Sequence, residues 1–339
     1  MPVLEVSVVK EQAVSALLAA GVPEDHARVQ VELLVDAELM GLPSHGLLRL
    51  DRIVRRIRNG VTDPRARGTH HWRRPAFLSV DGQRGLGPVV ALAAIDEAVA
   101  RVKETGIAIV AIANSNHIGM LAWYVQHVAA GGHLAIALST SEALVHPWGA
   151  RAPMIGTNPI AIGVPTDTIP FVMDLATGIV SMGKIHDHAR RGESIPAHWA
   201  LDEQGHATTD AEAAKRGSIA PFGEAKGYAL GLSFELLVAS LTQSALGTDI
   251  RGTLDDESVC NKGDVFIIAD VVQTGFTRYL DSIRNSAPAA GFDSVRIPGD
   301  RARATRAERL SNGIPIADET WSRVTALASA QNKGGDLNA

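Results

Sequence analysis

Apolar positions in the first 75 residues recur at the spacing of helices. The pattern predicts three helices, over residues 8–20, 24–40 and 44–59. A glycine follows each of them, as is common at helix ends: Gly21, Gly41 and Gly60. Ser7 and Ser44 are the predicted N-caps of the first and third helices. A last helix is predicted over 317–330, followed by a frayed tail.

The period changes after Pro75, where short apolar runs alternate with helical segments. The predicted strands cover residues 77–80, 107–112, 134–138, 160–164, 171–173 and 264–270. The helices predicted between and after them cover residues 88–103, 120–130, 227–241 and 277–286. The initial order β-α-β-α-β is typical of an α/β fold.

This division of patterns predicts two parts in the chain. Residues 1–75 together with 301–339 are expected to form a helical domain. Residues 76–300 are expected to form a sheet domain that binds cofactor and substrate, with a polar surface excursion at about 185–220.

Composition excludes several classes of function. A hydrophobic content of 46% with 20% charged residues indicates a folded chain. The net charge of −5 and the 4% aromatic content give no basis for nucleic acid or a membrane as partner. Cys260 is the single cysteine, so no disulfide can form within the chain. We therefore expect a cytoplasmic protein.

Residues 139–184 combine small residues, turn residues and single polar groups between apolar runs, which suits the wall of a site. Thr157 lies in a turn before a predicted strand and is a candidate substrate-binding residue. Asp174 ends the strand predicted over 171–173, where a carboxylate must be paired, exposed in a cleft or shifted in pKa. An ordinary turn-forming aspartate is the alternative.

Two histidines are candidates for proton transfer. His45 is expected in the first turn of a helix, whose dipole disfavours the imidazolium, and Arg49 lies one turn further on the same face. A proton acceptor beside a guanidinium suits an alcohol or carbonyl next to a carboxylate. His117 follows two asparagines at a strand end. The alternatives are a surface histidine on a basic helix for His45 and a loop histidine for His117.

The glycines at 82, 85 and 87 follow a predicted strand, but their spacing is GxxGxG and no acid ends the next strand. This excludes a Rossmann fingerprint. His70, His71, His186 and His188 lack a third ligand at a suggestive spacing, so no metal is expected. The later arginines of the basic helix (52, 55, 56 and 58) are predicted to form a solvated face or a subunit contact.

Six segments in register extend the picture. In order they are SHGLLRL, ANSNHIGM, GTNPIAIGVP, FVMDLATG, WALDEQGHATTD and AKGYALGL. On the basis of these six segments together, the chain resembles the type 2 malate/L-lactate dehydrogenase family. This family includes sulfolactate and ureidoglycolate dehydrogenases and reductases of cyclic imino acids. The resemblance implies NAD(P)-dependent hydride transfer at C2 of a small 2-hydroxy or 2-oxo acid. It also implies a homodimer with the site near the subunit interface.

The resemblance further implies a non-Rossmann cofactor-binding fold of the α/β (α+β) class, with a largely antiparallel mixed sheet and a helical domain from both chain ends. This differs from the parallel sheet that the β-α-β order suggests, and strand order alone is weak evidence of strand direction.

Site residues follow from the resemblance position by position. His45 matches the family's proton donor and acceptor, His117 a second histidine, and Asp174 a supporting acid. Apart from the resemblance, we take Ser44, Arg49, Thr157 and Arg151 as candidate substrate-binding residues, with Arg49 and Arg151 for the substrate carboxylate. Cofactor-binding positions are Ser141, Asp174, Leu175, Ala176, Lys226, Pro298, Gly299 and Asp300. Glu224 departs from the usual glycine-rich approach to the lysine.

Three functions remain open from the sequence. The first is an NAD- or NADP-dependent 2-hydroxyacid dehydrogenase acting on a malate-, lactate- or sulfolactate-like substrate. The second keeps the cofactor but reduces a cyclic imine carboxylate such as piperideine-2-carboxylate. The third is a non-catalytic NAD(P)-binding or assembly protein.

Overall fold

The computed structural model describes residues 1–271 and 275–329. Its strands are β1 (Val3–Leu4), β2 (Thr69–Arg74), β3 (Phe77–Asp81), β4 (Ile107–Ala113), β5 (Leu134–Ser139), β6 (Ile160–Val164), β7 (Phe171–Leu175), β8 (Ala200–Leu201), β9 (Ser218–Ile219), β10 (Asp264–Ala269) and β11 (Ile314–Pro315). Its α-helices are α1 (Val6–Ala19), α2 (Glu24–Leu39), α3 (Leu50–Arg58), α4 (Gly87–Thr105), α5 (Leu121–Ala130), α6 (Met182–Arg191), α7 (Ala211–Arg216), α8 (Ala225–Thr242), α9 (Thr277–Arg284), α10 (Asp300–Asn312) and α11 (Asp318–Ser329). Short 3₁₀ helices cover Pro43–His45, Leu47–Arg49 and Gly247–Asp249.

Seven strands form the central sheet in the order β2-β3-β4-β10-β5-β6-β7. Only the β3–β4 pair is parallel, joined through α4, and the other five pairs are antiparallel. Strand β10 inserts between β4 and β5, so that Asp264 lies opposite both Ile112 and Ser139. This confirms the non-Rossmann, largely antiparallel mixed sheet.

Helices cover both faces of the sheet, and strand β10 shows why. Its side chains alternate, so that Phe266 and Ile268 pack in the cluster that contains residues of α4 and α5. Val265 and the partly buried Ile267 point to the other face and pack in the cluster that contains Val238 of α8. A strand that is apolar on both faces must be covered twice to bury its surface.

The two ends of the chain meet outside this sheet. β1 pairs with β11 in antiparallel register, with Val3 opposite Pro315 and Leu4 opposite Ile314. α1 packs against α2 and α11, and Val9 and Val324 are buried in the same cluster. The predicted domain division at residues 75 and 300 stays a prediction; β2 precedes it and pairs with β3 of the sheet.

Several local predictions were wrong. Ser7 lies inside α1, whose N-cap is Glu5. Residues 44–49 form two 3₁₀ turns, and α3 begins only at Leu50. The buried carboxylate of Glu38 accepts the Leu47 amide at 2.8 Å and lies where a side chain at position 46 would stand, so the chain bends here at Gly46.

The excursion at 185–220 has more structure than its polarity indicates. Its first residues belong to α6, and it contains α7 and the two-stranded β8–β9 sheet. Its apolar side chains, among them Ile185, Ile195 and Ile219, are buried in a hydrophobic cluster of their own. The predicted last helix ends at Ser329 in the described part of the chain, and the tail that was predicted to fray lies outside it. No helix in residues 1–271 or 275–329 has the length and apolarity needed to cross a bilayer.

Gly163 gives a test of how tightly α5 packs on the sheet. A Cβ atom at Gly163 of β6 would lie 2.2 Å from the carbonyl oxygen of Val125, which is backbone and cannot turn aside. We expect Gly163→Ala to lower the free energy of unfolding by about 1–3 kcal/mol, the usual cost of overpacking. Urea unfolding measures it. Gly275→Ala is the control, since no described atom lies within 4 Å of its added Cβ; equal midpoints for the two variants would contradict the packing.

Candidate active site

The two 3₁₀ turns between α2 and α3 present His45 and Arg49 to one pocket. The Ser44 hydroxyl lies 3.0 Å from His45 Nδ1, and Arg49 Nε donates to the Ser44 carbonyl at 2.7 Å. The Glu38 carboxylate, which is buried and accepts the Leu47 amide, fixes the second turn. The sequence placed His45 in the first turn of a long helix, and this was wrong; it ends a three-residue 3₁₀ turn.

His117 faces the same pocket from the loop after β4. The centroids of the His45 and His117 rings are 5.9 Å apart, with 33° between their planes. The Gly119 amide donates to His117 Nδ1 at 3.0 Å. A ring nitrogen that accepts an N–H carries no proton, so the neutral ring holds its proton on Nε2.

The pocket lies between α2, α3, the His117 loop and the segment around Thr253. Its polar lining comes from residues far apart in the chain: Gln30, His45, Arg49, Arg52, Arg56, Thr62, Asn116, His117 and Thr253. Leu33, Leu34, Ile53 and Leu86 supply the apolar part. The mixture suits a small, strongly anionic molecule with a short carbon skeleton.

Burial and like charges keep both imidazoles neutral. Burial first, and then the neighbouring Arg49 guanidinium, lower the pKa of His45 to about 4. Burial also holds the pKa of His117 well below its usual range, with Arg49 and His45 adding to the effect. Burial and the nearby Arg52 lower the pKa of Arg49 to about 10, so this guanidinium remains charged at neutral pH.

Sequence reasoning missed Arg52 and Arg56 as pocket residues. The prediction of a solvated face was wrong for Arg56, which is 5% exposed. Arg52 lines the pocket, while Arg55 and Arg58 are exposed as expected. The signal was present in the spacing: 49, 52 and 56 follow each other at three and four residues, which places them along one side of a helix.

Asp174 lies at the end of β7, against the start of α5. Its Oδ2 accepts the Ala122 amide at 2.8 Å, and burial of the carboxyl group raises its pKa to about 6 although the residue is exposed on one side. The turn after β7 is joined to the turn before β6, because the Thr177 amide donates to the Thr157 carbonyl at 2.8 Å. Ser141 Oγ accepts the Thr157 amide at 3.0 Å.

The other predicted cofactor positions border the same strand end. A Cβ on Gly299 would lie 2.9 Å from the Val172 carbonyl, so the loop of Pro298, Gly299 and Asp300 touches β7. Both oxygens of Asp300 are paired, chiefly with Arg284, which lowers the pKa of Asp300 to about 2. Lys226 is exposed at the start of α8, just after the bridge between Pro221 and Gly178.

Four of the predicted catalytic and substrate-binding residues do not line the histidine pocket. Among the described residues, its lining lacks Arg151, Thr157, the predicted catalytic Asp174 and Ser44, although Ser44 contacts His45. The Arg151 carbonyl accepts from Ser218, and its side chain packs on Gly205 in the excursion. In the described ranges, no three His, Cys, Asp or Glu side chains form a cluster that could hold a metal.

Comparison with known proteins identifies the family. The family model for malate/L-lactate dehydrogenase matches residues 4–325. The chain belongs to this family. It is therefore an oxidoreductase of the malate/lactate dehydrogenase type with NAD or NADP as cofactor, as the sequence predicted.

Curated relatives match almost the full chain. It is 34% identical over 323 residues to the malate/(S)-sulfolactate dehydrogenase of Methanothermus fervidus, covering 94% of this chain and 95% of that protein. It is 36% identical over 303 residues to the (2R)-3-sulfolactate dehydrogenase (NADP(+)) of Chromohalobacter salexigens, covering 88% and 90%. It is 32% identical over 337 residues to the Delta(1)-pyrroline-2-carboxylate reductase 1 of Burkholderia ambifaria, covering 96% and 97%.

A solved structure shares the fold over nearly the same length. The crystal structure of a dehydrogenase from Sinorhizobium meliloti superimposes with a TM-score of 0.93 at 51% identity, covering 96% of this chain and 98% of that one.

The residues at the end of β7 fit a nicotinamide nucleotide. Leu175 is 41% exposed, so an apolar surface lies beside the Asp174 carboxyl group. The Ser141 and Thr157 hydroxyls, 3.3 Å apart, lie on the adjoining turn. A flat ring with an amide and a ribose needs this combination of one apolar contact and several hydrogen-bonding groups.

The low pKa values of the two histidines are testable by NMR. We expect the Cε1–H signals of His45 and His117, assigned by their loss in His45→Gln and His117→Gln, to keep neutral-form positions from about pH 8 to about pH 5.5, because both titrate below the ordinary value of about 6.5. Since the unfolded chain takes up these protons first, the free energy of unfolding also falls as the pH drops from about 6.5 toward 4. A titration of either signal near pH 6.5 would contradict the burial.

Proposed function

We propose that this chain transfers hydride between NAD(P) and C2 of a small 2-hydroxy or 2-oxo acid of the malate, lactate or sulfolactate kind. One observation carries the proposal: two imidazoles held neutral, 5.9 Å apart, beside the charged Arg49 guanidinium in one pocket. A hydroxyl group next to a carboxylate needs a base for its proton and a cation for its charge, and the pocket offers both.

Each residue then has a distinct role. Arg49 holds the substrate carboxylate, because its Nε already donates to the Ser44 carbonyl and so fixes the plane of the guanidinium. His45 takes the hydroxyl proton, and Ser44, 3.0 Å from Nδ1, orients its ring. His117 donates from Nε2 to the substrate oxygen, since its Nδ1 accepts the Gly119 amide. A bound nicotinamide nucleotide would supply the redox chemistry, as acceptor or donor of the hydride that leaves or joins C2 of the substrate.

Substrate binding itself adjusts His45. Part of the depression of its pKa comes from Arg49, and a bound carboxylate offsets that charge. A bound carboxylate therefore removes the part of the depression of the His45 pKa that Arg49 causes, while burial, the larger cause, continues to favour the neutral ring that can accept a proton. Ser141, Leu175, Ala176 and Lys226 would hold the cofactor, with Asp174 on the nicotinamide side.

Arg52 favours a substrate with a second anionic group. In the part of the chain that the structure describes, no carboxylate lies within 4.0 Å of a nitrogen of Arg49 or Arg52. Two guanidinium groups without carboxylate partners in one pocket suit two anionic groups on one molecule. Malate, oxaloacetate and sulfolactate carry two such groups, whereas lactate carries one.

Reduction of a cyclic imine carboxylate is the second candidate, because the relatives include the Delta(1)-pyrroline-2-carboxylate reductase of Burkholderia ambifaria. Such a substrate has a single carboxylate and gains a positive charge when its nitrogen is protonated. Arg52 would repel that charge, so the 2-oxo acid is the preferred substrate. Membership of a dehydrogenase family and the two neutral histidines argue against a non-catalytic binding protein.

The experiment that tests the function measures oxidation of NADH and NADPH with oxaloacetate, pyruvate, sulfopyruvate, diketogulonate and piperideine-2-carboxylate. We expect turnover of a 2-oxo acid with two anionic groups. Arg52→Leu should lower kcat/KM for oxaloacetate relative to pyruvate by about 10- to 100-fold, the loss of one charge-assisted hydrogen bond. Arg58→Leu, on the same helix and exposed, is the control. Better turnover of the imine by the wild type would favour the second candidate, and no turnover of any substrate would contradict both.

We also expect a cytoplasmic homodimer. The single cysteine excludes a disulfide within the chain. Exposed large apolar side chains support a subunit contact, three of them on α8 and two in neighbouring loops: Leu230, Leu236, Leu237, Met154 and Leu246. Among its described residues, the single chain leaves these side chains uncovered.

Analytical ultracentrifugation tests the dimer. We expect twice the mass of one chain for the wild type and a shift toward the monomer for Leu236→Glu, because a carboxylate cannot be buried unpaired in an apolar contact. Leu310→Glu, at an equally exposed leucine on α10, should remain dimeric. A monomeric wild type would contradict the expectation.

A further inference from the structure

Arg56 lines the pocket, but protein acceptors already occupy its donors. Nε and Nη2 donate to Asn116 Oδ1 at 3.1 and 2.9 Å. Nη1 donates to the Asp255 carbonyl at 2.9 Å, and Nη2 also donates to the Ser258 carbonyl at 3.0 Å. Four of the five N–H groups of a guanidinium are thereby in use. Arg49, in contrast, donates only from Nε to an acceptor in the described chain.

Asn116 connects this arginine to the glycine turn before α4. Its Oδ1 accepts from Arg56 and, at 3.0 Å, from the Thr62 hydroxyl. Its Nδ2 donates to the carbonyls of Arg84 and Gly85 at 2.7 and 2.9 Å. The amide orientation follows from this network, because a flipped amide would place its NH₂ group against the guanidinium. Both ends of the 7% exposed side chain are satisfied.

The residue after Asn116 is His117, and its main chain is enclosed on the other side. A Cβ on Gly87 would lie 2.4 Å from the His117 carbonyl oxygen. The Asn116 amide donates to the Gly85 carbonyl at 3.2 Å, and Gly119 holds the ring through Nδ1. The contacts of Asn116 therefore set the position from which the His117 imidazole reaches the pocket.

The same guanidinium fixes a second wall. Its bonds to the carbonyls of Asp255 and Ser258 hold the segment 252–258, on which Thr253 lines the pocket. The Asp255 side chain closes this segment on itself by accepting the amides of Gly252 and Ser258. One buried cation thus joins α3, the His117 loop and segment 252–258.

We propose that Arg56 is a positioning residue for His117, acting through Asn116, and that it does not bind substrate. The inference rests on the proposed function, since it takes His117 as part of the reacting site. It separates Arg56 from Arg49 and Arg52, whose guanidinium groups lack carboxylate partners in the described structure. A ring displaced by about 1 Å is enough to cost about 100-fold in rate, so positioning residues act mainly on kcat.

The test compares Arg56→Gln with Arg58→Gln, an exposed arginine of the same helix. We expect Arg56→Gln to lower kcat by about 10- to 100-fold, to change KM by less than about twofold, and to lower turnover of oxaloacetate and pyruvate alike. Arg56→Lys should lose kcat in the same direction, because an ammonium keeps the charge but cannot form the planar fork on Asn116. It replaces Arg56→Gln if that variant fails to fold.

Asn116→Ser tests the path. If Arg56 acts through Asn116, the double variant Arg56→Gln/Asn116→Ser should be no slower than the slower single variant. Additive losses in kcat would overturn this path. A raised KM with unchanged kcat, or a loss confined to oxaloacetate, would make Arg56 a substrate ligand and overturn the proposal.

An NMR measurement separates this inference from the proposed function. We expect the Cε1–H signal of His117 to move in Arg56→Gln and to stay in place in Arg58→Gln. An unmoved signal in Arg56→Gln overturns the positioning role even if the wild type turns over every substrate. No turnover by the wild type would overturn the proposed function. The Arg56–Asn116 contact would then position His117 without a role in catalysis.

Discussion

The site depends on a guanidinium that stays charged beside two imidazoles that stay neutral. In water these groups would change each other's pKa values only slightly, because the solvent screens their charges. In the pocket, burial removes that screening, so Arg49 lowers the pKa of His45 and adds to the depression at His117. The same lack of screening makes the pocket attractive to anions, since Arg49 and Arg52 have no carboxylate partner within 4.0 Å in the described ranges.

The fold supplies this environment by bringing distant segments to one place. Glu38 of α2 bends the chain at Gly46 and so turns His45 and Arg49 inward. The glycine turn before α4 supports the loop of His117 from the opposite side. None of these contacts is local, and each uses a buried polar group whose loss would leave a partner unsatisfied. The polar network therefore fixes the positions of the histidines and Arg49 in the pocket.

Sequence reasoning brought out both histidines of the pocket but not their supports. His45 and His117 were candidates because a histidine near a turn or a strand end is chemically distinctive, and because both match motifs of the family. Arg56, Asn116 and Glu38 were not, because their function depends on partners between 9 and 202 positions away in the chain. The predicted cause of the neutral His45 was also wrong: the dipole of a long helix was expected, whereas burial and Arg49 produce the effect.

The sequence by itself determined the family and, through resemblance to it, the oxidoreductase class and the nicotinamide cofactor, because six motifs in register are properties of the chain. Apolar periodicity determined most of the elements of the sheet. It determined that no Rossmann fingerprint is present. Only the tertiary structure decided that β10 inserts between β4 and β5, that residues 44–49 form 3₁₀ turns, and that Arg56 is engaged by Asn116 rather than solvated. Strand pairing and the partners of a buried charge depend on long-range contacts, which the local sequence pattern does not specify even where the spacing of the arginines indicates a shared helix face.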